Sequence, residues 1–134
     1  MNLVKQEESM GCGIACVTSR IGISYQETRK LFAHPERSST KGYYCKDLVE
    51  VLASRGLKYK FKKVKESNDE IINRVGSIVF AKRGKKYPEG HWLLKTENGW
   101  MNSWHNWPGK IEDAISGYNQ EFPGTLEWVV YEIT

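Results

Sequence analysis

From Gln6 to Ser19 the chain reads Gln-Glu-Glu-Ser-Met-Gly-Cys-Gly-Ile-Ala-Cys-Val-Thr-Ser, and no other stretch limits the possible folds as tightly. The small, apolar run from Ile14 to Val17 suits a buried helix, which must be covered by other layers of structure. Cys12 falls at the start of that helix between Gly11 and Gly13. Unpaired N–H groups and the positive end of the helix dipole gather at this position and favour the thiolate, the nucleophilic form of cysteine. Attack on an acyl carbon creates an oxyanion, which needs donors already in place. The backbone N–H of Cys12 and the side-chain amide of Gln6, six residues upstream, are the two candidates. The flanking glycines let a substrate backbone come close.

The rest of the chain reads as helices first and strands last. Ser24 and Glu27 have the spacing of a capping box and predict a helix over 25–32, ended by Pro35. A polar loop over 36–42 follows, with His34 at its edge as a surface or capping residue. Leu48, Val49, Val51 and Leu52 mark a third helix over 44–55, with Gly56 in the left-handed cap position. Over 57–64, Leu57, Tyr59 and Phe61 alternate with lysines, so an amphipathic strand should put its aromatic side on the core and its lysines in water. A short helix opens at 67–70 and stops at Gly76, and a buried strand spans 77–81. Residues 83–90 form a polar rim loop. The segments 91–95 and 100–104 read as a hairpin turning through Asn98-Gly99. A short helix over 110–118 and a final strand over 126–133 complete an α+β domain occupying 1–134, in which the cysteine helix packs on an antiparallel sheet.

His91 follows Gly90 at the start of the hairpin and reads either as a half-buried structural residue or as a general base for Cys12; the base role, with an asparagine or aspartate to orient the imidazole, is what the resemblance given next implies. Here turn geometry and motif disagree. A two-residue turn at Asn98-Gly99 sets Asn106 opposite His91 and leaves Asn102 four positions along, roughly 13 Å away.

Taken together, Gln-x5-Cys-Gly at a helix start, Gly90-His91-Trp92 on a strand and Asn102-Ser103-Trp104 resemble the papain-like cysteine peptidase superfamily. Within it the pattern is most similar to the compact bacterial peptidases that process bacteriocins at double-glycine leaders. Those usually carry aspartate as third member and an acidic residue where this chain has Gly11. The resemblance implies a papain-like fold and a cysteine peptidase cleaving a peptide or isopeptide bond. It implies Cys12 as nucleophile, His91 as base, Asn102 as orienter, Gln6 in the oxyanion hole, and Trp104 shielding the His91–Asn102 bond. It implies no cofactor. The expected partners are a peptide or protein substrate and an inhibitor or immunity protein. A glutamine deamidase or transferase would use the same first half-reaction, and an idle binding module would retain only the fold.

Composition narrows the classes further. Three cysteines make no disulfide framework; Cys16 and Cys45 read as core residues, the alternative being a metal held by Cys12 and Cys16 with a histidine. The net charge of +4 is mild, and the lysines of 58–65 read as a solvated face or acidic-partner patch rather than a nucleic-acid groove. No long apolar run is present, and the first residues lack the apolar stretch of a signal peptide, which predicts a cytoplasmic product, with leaderless export as the other route.

Overall fold

The computed structural model describes residues 1–133. Among these lie four α-helices and one six-stranded sheet whose neighbouring strands are all antiparallel, so the α+β class is observed. Helix α1 (Cys12–Ile21) buries every residue from Cys12 to Ser19, and each fully buried aliphatic side chain on it contributes about 1.5–3 kcal/mol. It stops because Gly22 takes a left-handed φ of 80° and turns its N–H back to the Thr18 carbonyl at 2.8 Å. Helix α2 (Tyr25–Leu31) carries the expected capping box, with Ser24 Oγ accepting from the Glu27 N–H at 3.1 Å and Glu27 accepting from the Ser24 N–H at 3.3 Å. Pro35 opens a 3₁₀ turn over Pro35–Ser39, which overlaps the segment expected as plain loop over 36–42. Helix α3 (Cys45–Ser54) buries Leu48, Val51 and Leu52, and α4 (Asp69–Ile72) is a single turn following a 3₁₀ turn at Glu66–Asn68.

The strands are β1 (Tyr59–Lys63), β2 (Ile78–Ala81), β3 (His91–Thr96), β4 (Gly99–Asn102), β5 (Gly117–Asn119) and β6 (Leu126–Glu132), arranged in the order β1-β6-β2-β3-β4-β5. The last strand therefore lies inside the sheet, between β1 and β2. Helices α1 and α3 cover one face, where Ile14, Val17, Leu48, Leu94, Met101 and Val130 belong to one core. The other face carries a second core that includes Ile72, Val79, Leu93, Trp100 and Val129. No helix among the described residues is long and apolar enough to cross a membrane.

Three expectations are corrected. The hairpin turn is centred on Glu97-Asn98, since Thr96 pairs with Gly99 and Leu94 with Met101. A two-residue turn centred on Asn98-Gly99 would need positive φ at Asn98 in either favoured form, and of the two residues only Gly99, at 114°, has it. The helix expected over 110–118 is one 3₁₀ turn at Ile111–Asp113 followed by β5. Its backbone groups are taken elsewhere: the Ile115 N–H donates to Asn106 Oδ1 at 2.8 Å, the Ile115 carbonyl accepts from the His105 N–H at 2.7 Å, and β5 pairs with β4. On β1, Tyr59 is buried as expected, but Phe61 is 45% exposed, lining an open cleft.

Candidate active site

The amino end of α1 meets the start of β3. Cys12 is only 8% exposed, and its Sγ accepts the Trp92 backbone N–H at 3.4 Å, one residue beyond His91. Buried Gln6, Cys12, His91 and Trp104 are walls of one small cleft of about 80 Å³. His91 Nε2 and Asn102 Oδ1 are 2.8 Å apart. The Trp104 backbone N–H also donates to that oxygen, at 3.0 Å. An oxygen that takes a backbone donor is an acceptor, so Nε2 of His91 carries the hydrogen in this bond and Nδ1 is left with the lone pair.

The revised turn explains why Asn102 is in reach. Moving the turn back by one residue shifts the pairing by two, so the observed register continued outward sets His91 opposite Trp104 and Asn102 opposite Leu93. His91 and Asn102 become diagonal neighbours on one face, a separation long side chains bridge. Asn106 is not the partner. It is exposed, with its amide tied to the Asp113 carbonyl and the Ile115 N–H.

The two halves of the sequence pattern touch directly. Gln6 Oε1 accepts from Ser103 Oγ at 2.8 Å, and the Gln6 backbone N–H donates to the Ser103 carbonyl at 3.1 Å. Each residue of Asn102-Ser103-Trp104 thus has a separate contact: the imidazole, the glutamine loop, and the amide oxygen of Asn102. The Gln6 side-chain nitrogen, however, donates to the carbonyls of Glu8 and Ser9 at 3.1 Å each. An oxyanion can take a hydrogen from this amide only when one of those bonds is released.

Electrostatics correct a further expectation. The helix end was expected to favour thiolate, and the N–H groups of Trp92, Gly13 and Cys12 do pull the Cys12 pKa down, but burial outweighs them and raises it to about 11. Burial likewise lowers the His91 pKa to about 4, helped by the charge of Lys86 and opposed by the bond to Asn102. Burial thus favours the neutral thiol at Cys12 and the neutral imidazole at His91.

Several participants gave no signal in the sequence. Tyr87, from the segment read as a polar rim loop, is buried and stacks on the His91 ring with centroids 4.7 Å apart and planes 19° apart. Asn119 Oδ1 accepts from Asn102 Nδ2 at 2.9 Å. Both lie on segments whose approach depends on sheet pairing and loop path, which no spacing rule encodes. Cys16 is fully buried one turn below Cys12, and Cys45 lies at the start of α3. His34 is exposed and 3.7 Å from Glu36, and His105 packs on Gly117. No three His, Cys, Asp or Glu side chains among the described residues are placed to hold a metal.

Cys12 also borders a second, larger cleft of about 480 Å³, lined by Phe61, Phe80, Trp92, Trp128 and Tyr43 among others. The two clefts share Met10, Cys12, Glu89 and Gly90, and of the two only the smaller has His91 in its walls. No protein-family model matches the chain, and no curated protein matches it.

Proposed function

We propose that this protein is a papain-like thiol hydrolase that cleaves a peptide or isopeptide bond. The observation that carries the reading is the His91 Nε2–Asn102 Oδ1 bond at 2.8 Å with Cys12 in the same cleft. Because thiol and imidazole both rest neutral, proton transfer accompanies attack. The Cys12 sulfur forms a bond to the acyl carbon while its proton passes to Nδ1 of His91, giving an imidazolium whose Nε2–H stays on Asn102. The Cys12 N–H and a Gln6 amide hydrogen freed from Glu8 or Ser9 take the oxyanion. Collapse breaks the C–N bond, and the leaving amine takes the proton from His91. Water then adds to the thioester with His91 as base, and breaking the C–S bond releases the acid and restores the thiol.

The test uses a peptide library together with a peptidyl vinyl sulfone, an electrophile that traps a competent thiol. The native protein is expected to cleave members of the library and to gain one probe mass on Cys12. Cys12→Ala should do neither while unfolding at an unchanged temperature. Hydrolysis undiminished in Cys12→Ala, or a native protein that neither cleaves nor takes the probe, would overturn the proposal. A gain of about one dalton on a glutamine-containing peptide, without chain cleavage, would reassign the same acyl-thiol chemistry to deamidation.

A further inference from the structure

An amide side chain can turn over by half a rotation at almost no steric cost, because its oxygen and nitrogen are nearly the same size; only hydrogen bonds tell the two orientations apart. For Asn102 the difference is chemical. With Oδ1 toward His91, the ring must donate from Nε2, and Nδ1 is free to accept a proton. With Nδ2 toward His91, the amide donates, the ring must accept at Nε2, and its hydrogen moves to Nδ1, where it blocks the base function. Two donors converge on Oδ1, the His91 ring at 2.8 Å and the Trp104 N–H at 3.0 Å. Opposite them, Asn119 Oδ1 is the acceptor for Nδ2, at 2.9 Å.

We infer that Asn119 is a positioning residue that, together with the fixed Trp104 N–H, holds the Asn102 amide in the sense required to keep Nδ1 of His91 unprotonated. The inference rests on the proposed hydrolase reading and adds a fourth residue to it. Sheet geometry supports the assignment. β5 pairs with β4 so that Asn102 faces Gly117 and Trp100 faces Asn119, which sets Asn119 diagonally across from Asn102 on one face of the sheet. The backbone there is constrained as well: a Cβ added at Gly117 would lie 2.7 Å from the His105 ring, so that ring fills the space a side chain opposite Asn102 would need. Burial raises the Tyr87 phenol's pKa, and Asn102 acts against that rise. The Trp104 N–H remains when Asn119 is removed, so the loss is partial.

The experiment compares the native protein, Asn119→Ala and Asn119→Asp by nitrogen NMR of labelled histidine and by turnover of a library substrate. Aspartate preserves an acceptor and cannot present a donor when its carboxylate turns over, so it should behave as native. Alanine should convert His91 from one neutral tautomer to a mixture and lower kcat about tenfold, the value of one hydrogen bond, with KM changed less than about twofold. A single unchanged tautomer and unchanged kcat in Asn119→Ala would overturn the inference. So would an Asn119→Asp variant as impaired as alanine. A native protein with the expected tautomer and no turnover would count against the hydrolase reading alone, since the tautomer of Asn119→Ala still decides the role of Asn119.

Discussion

His91 should make the fold sensitive to mild acid, by an amount that follows from its burial. Its pKa lies near 6.5 when unfolded and about 4 in the folded protein, so the unfolded chain binds the proton more readily. The sign follows: this contribution to stability is fully present above about pH 6.5 and is lost as pH falls toward about 4. At 1.36 kcal/mol per decade, the native state gives up about 2 kcal/mol by pH 5 and about 3 kcal/mol by pH 4. Other groups titrate over the same range, so the measurement is a difference. Urea unfolding followed by tryptophan fluorescence at about pH 8, 6, 5 and 4 would be run on the native protein and on His91→Gln, whose side chain carries no titrating proton. His34, His105 and the carboxylates are common to both. The native protein should lose about 2 kcal/mol more than the variant between pH 8 and pH 5. Parallel curves would refute the reasoning. A native protein that gains on the variant as pH falls would refute it more sharply, because that is the behaviour of an imidazolium held by a thiolate.

With the Cys12 thiol pushed up to about 11, alkylation by iodoacetamide should climb about tenfold per pH unit from pH 7 to pH 9. A rate already level by about pH 6, followed by peptide mass mapping, would instead mark a preformed ion pair. Gly11→Ala should cost about 1–3 kcal/mol in urea unfolding, because the added methyl collides with the Tyr25 hydroxyl, and Gly11→Ala with Tyr25→Phe should recover part of it. No recovery in the double variant would place the strain elsewhere.

Local patterns were legible wherever the controlling interaction is short in sequence. The α1 helix follows from an uninterrupted small apolar run and a glycine stop, α2 from a reciprocal cap three residues apart, and α3 from its apolar period. The segment after Pro108 misled because Asn106, His105 and β4, which local sequence does not show, take up its backbone groups. Phe61 misled because alternation reports which side a residue faces and not whether anything covers that side; here the aromatic face of β1 ends at an open cleft.

The sequence by itself determined which residues could do chemistry: a cysteine at a helix start, a histidine at a strand start, a glutamine upstream and an asparagine beyond the turn. Tertiary structure decided which of them meet and in what state of protonation. A one-residue difference in turn centre selects Asn102 over Asn106, since every step along an antiparallel pair is counted from the turn. Burial, which depends on every layer packed around the site, outweighs the helix end and leaves both thiol and imidazole neutral, because removing a charge from water costs more than a few N–H groups return.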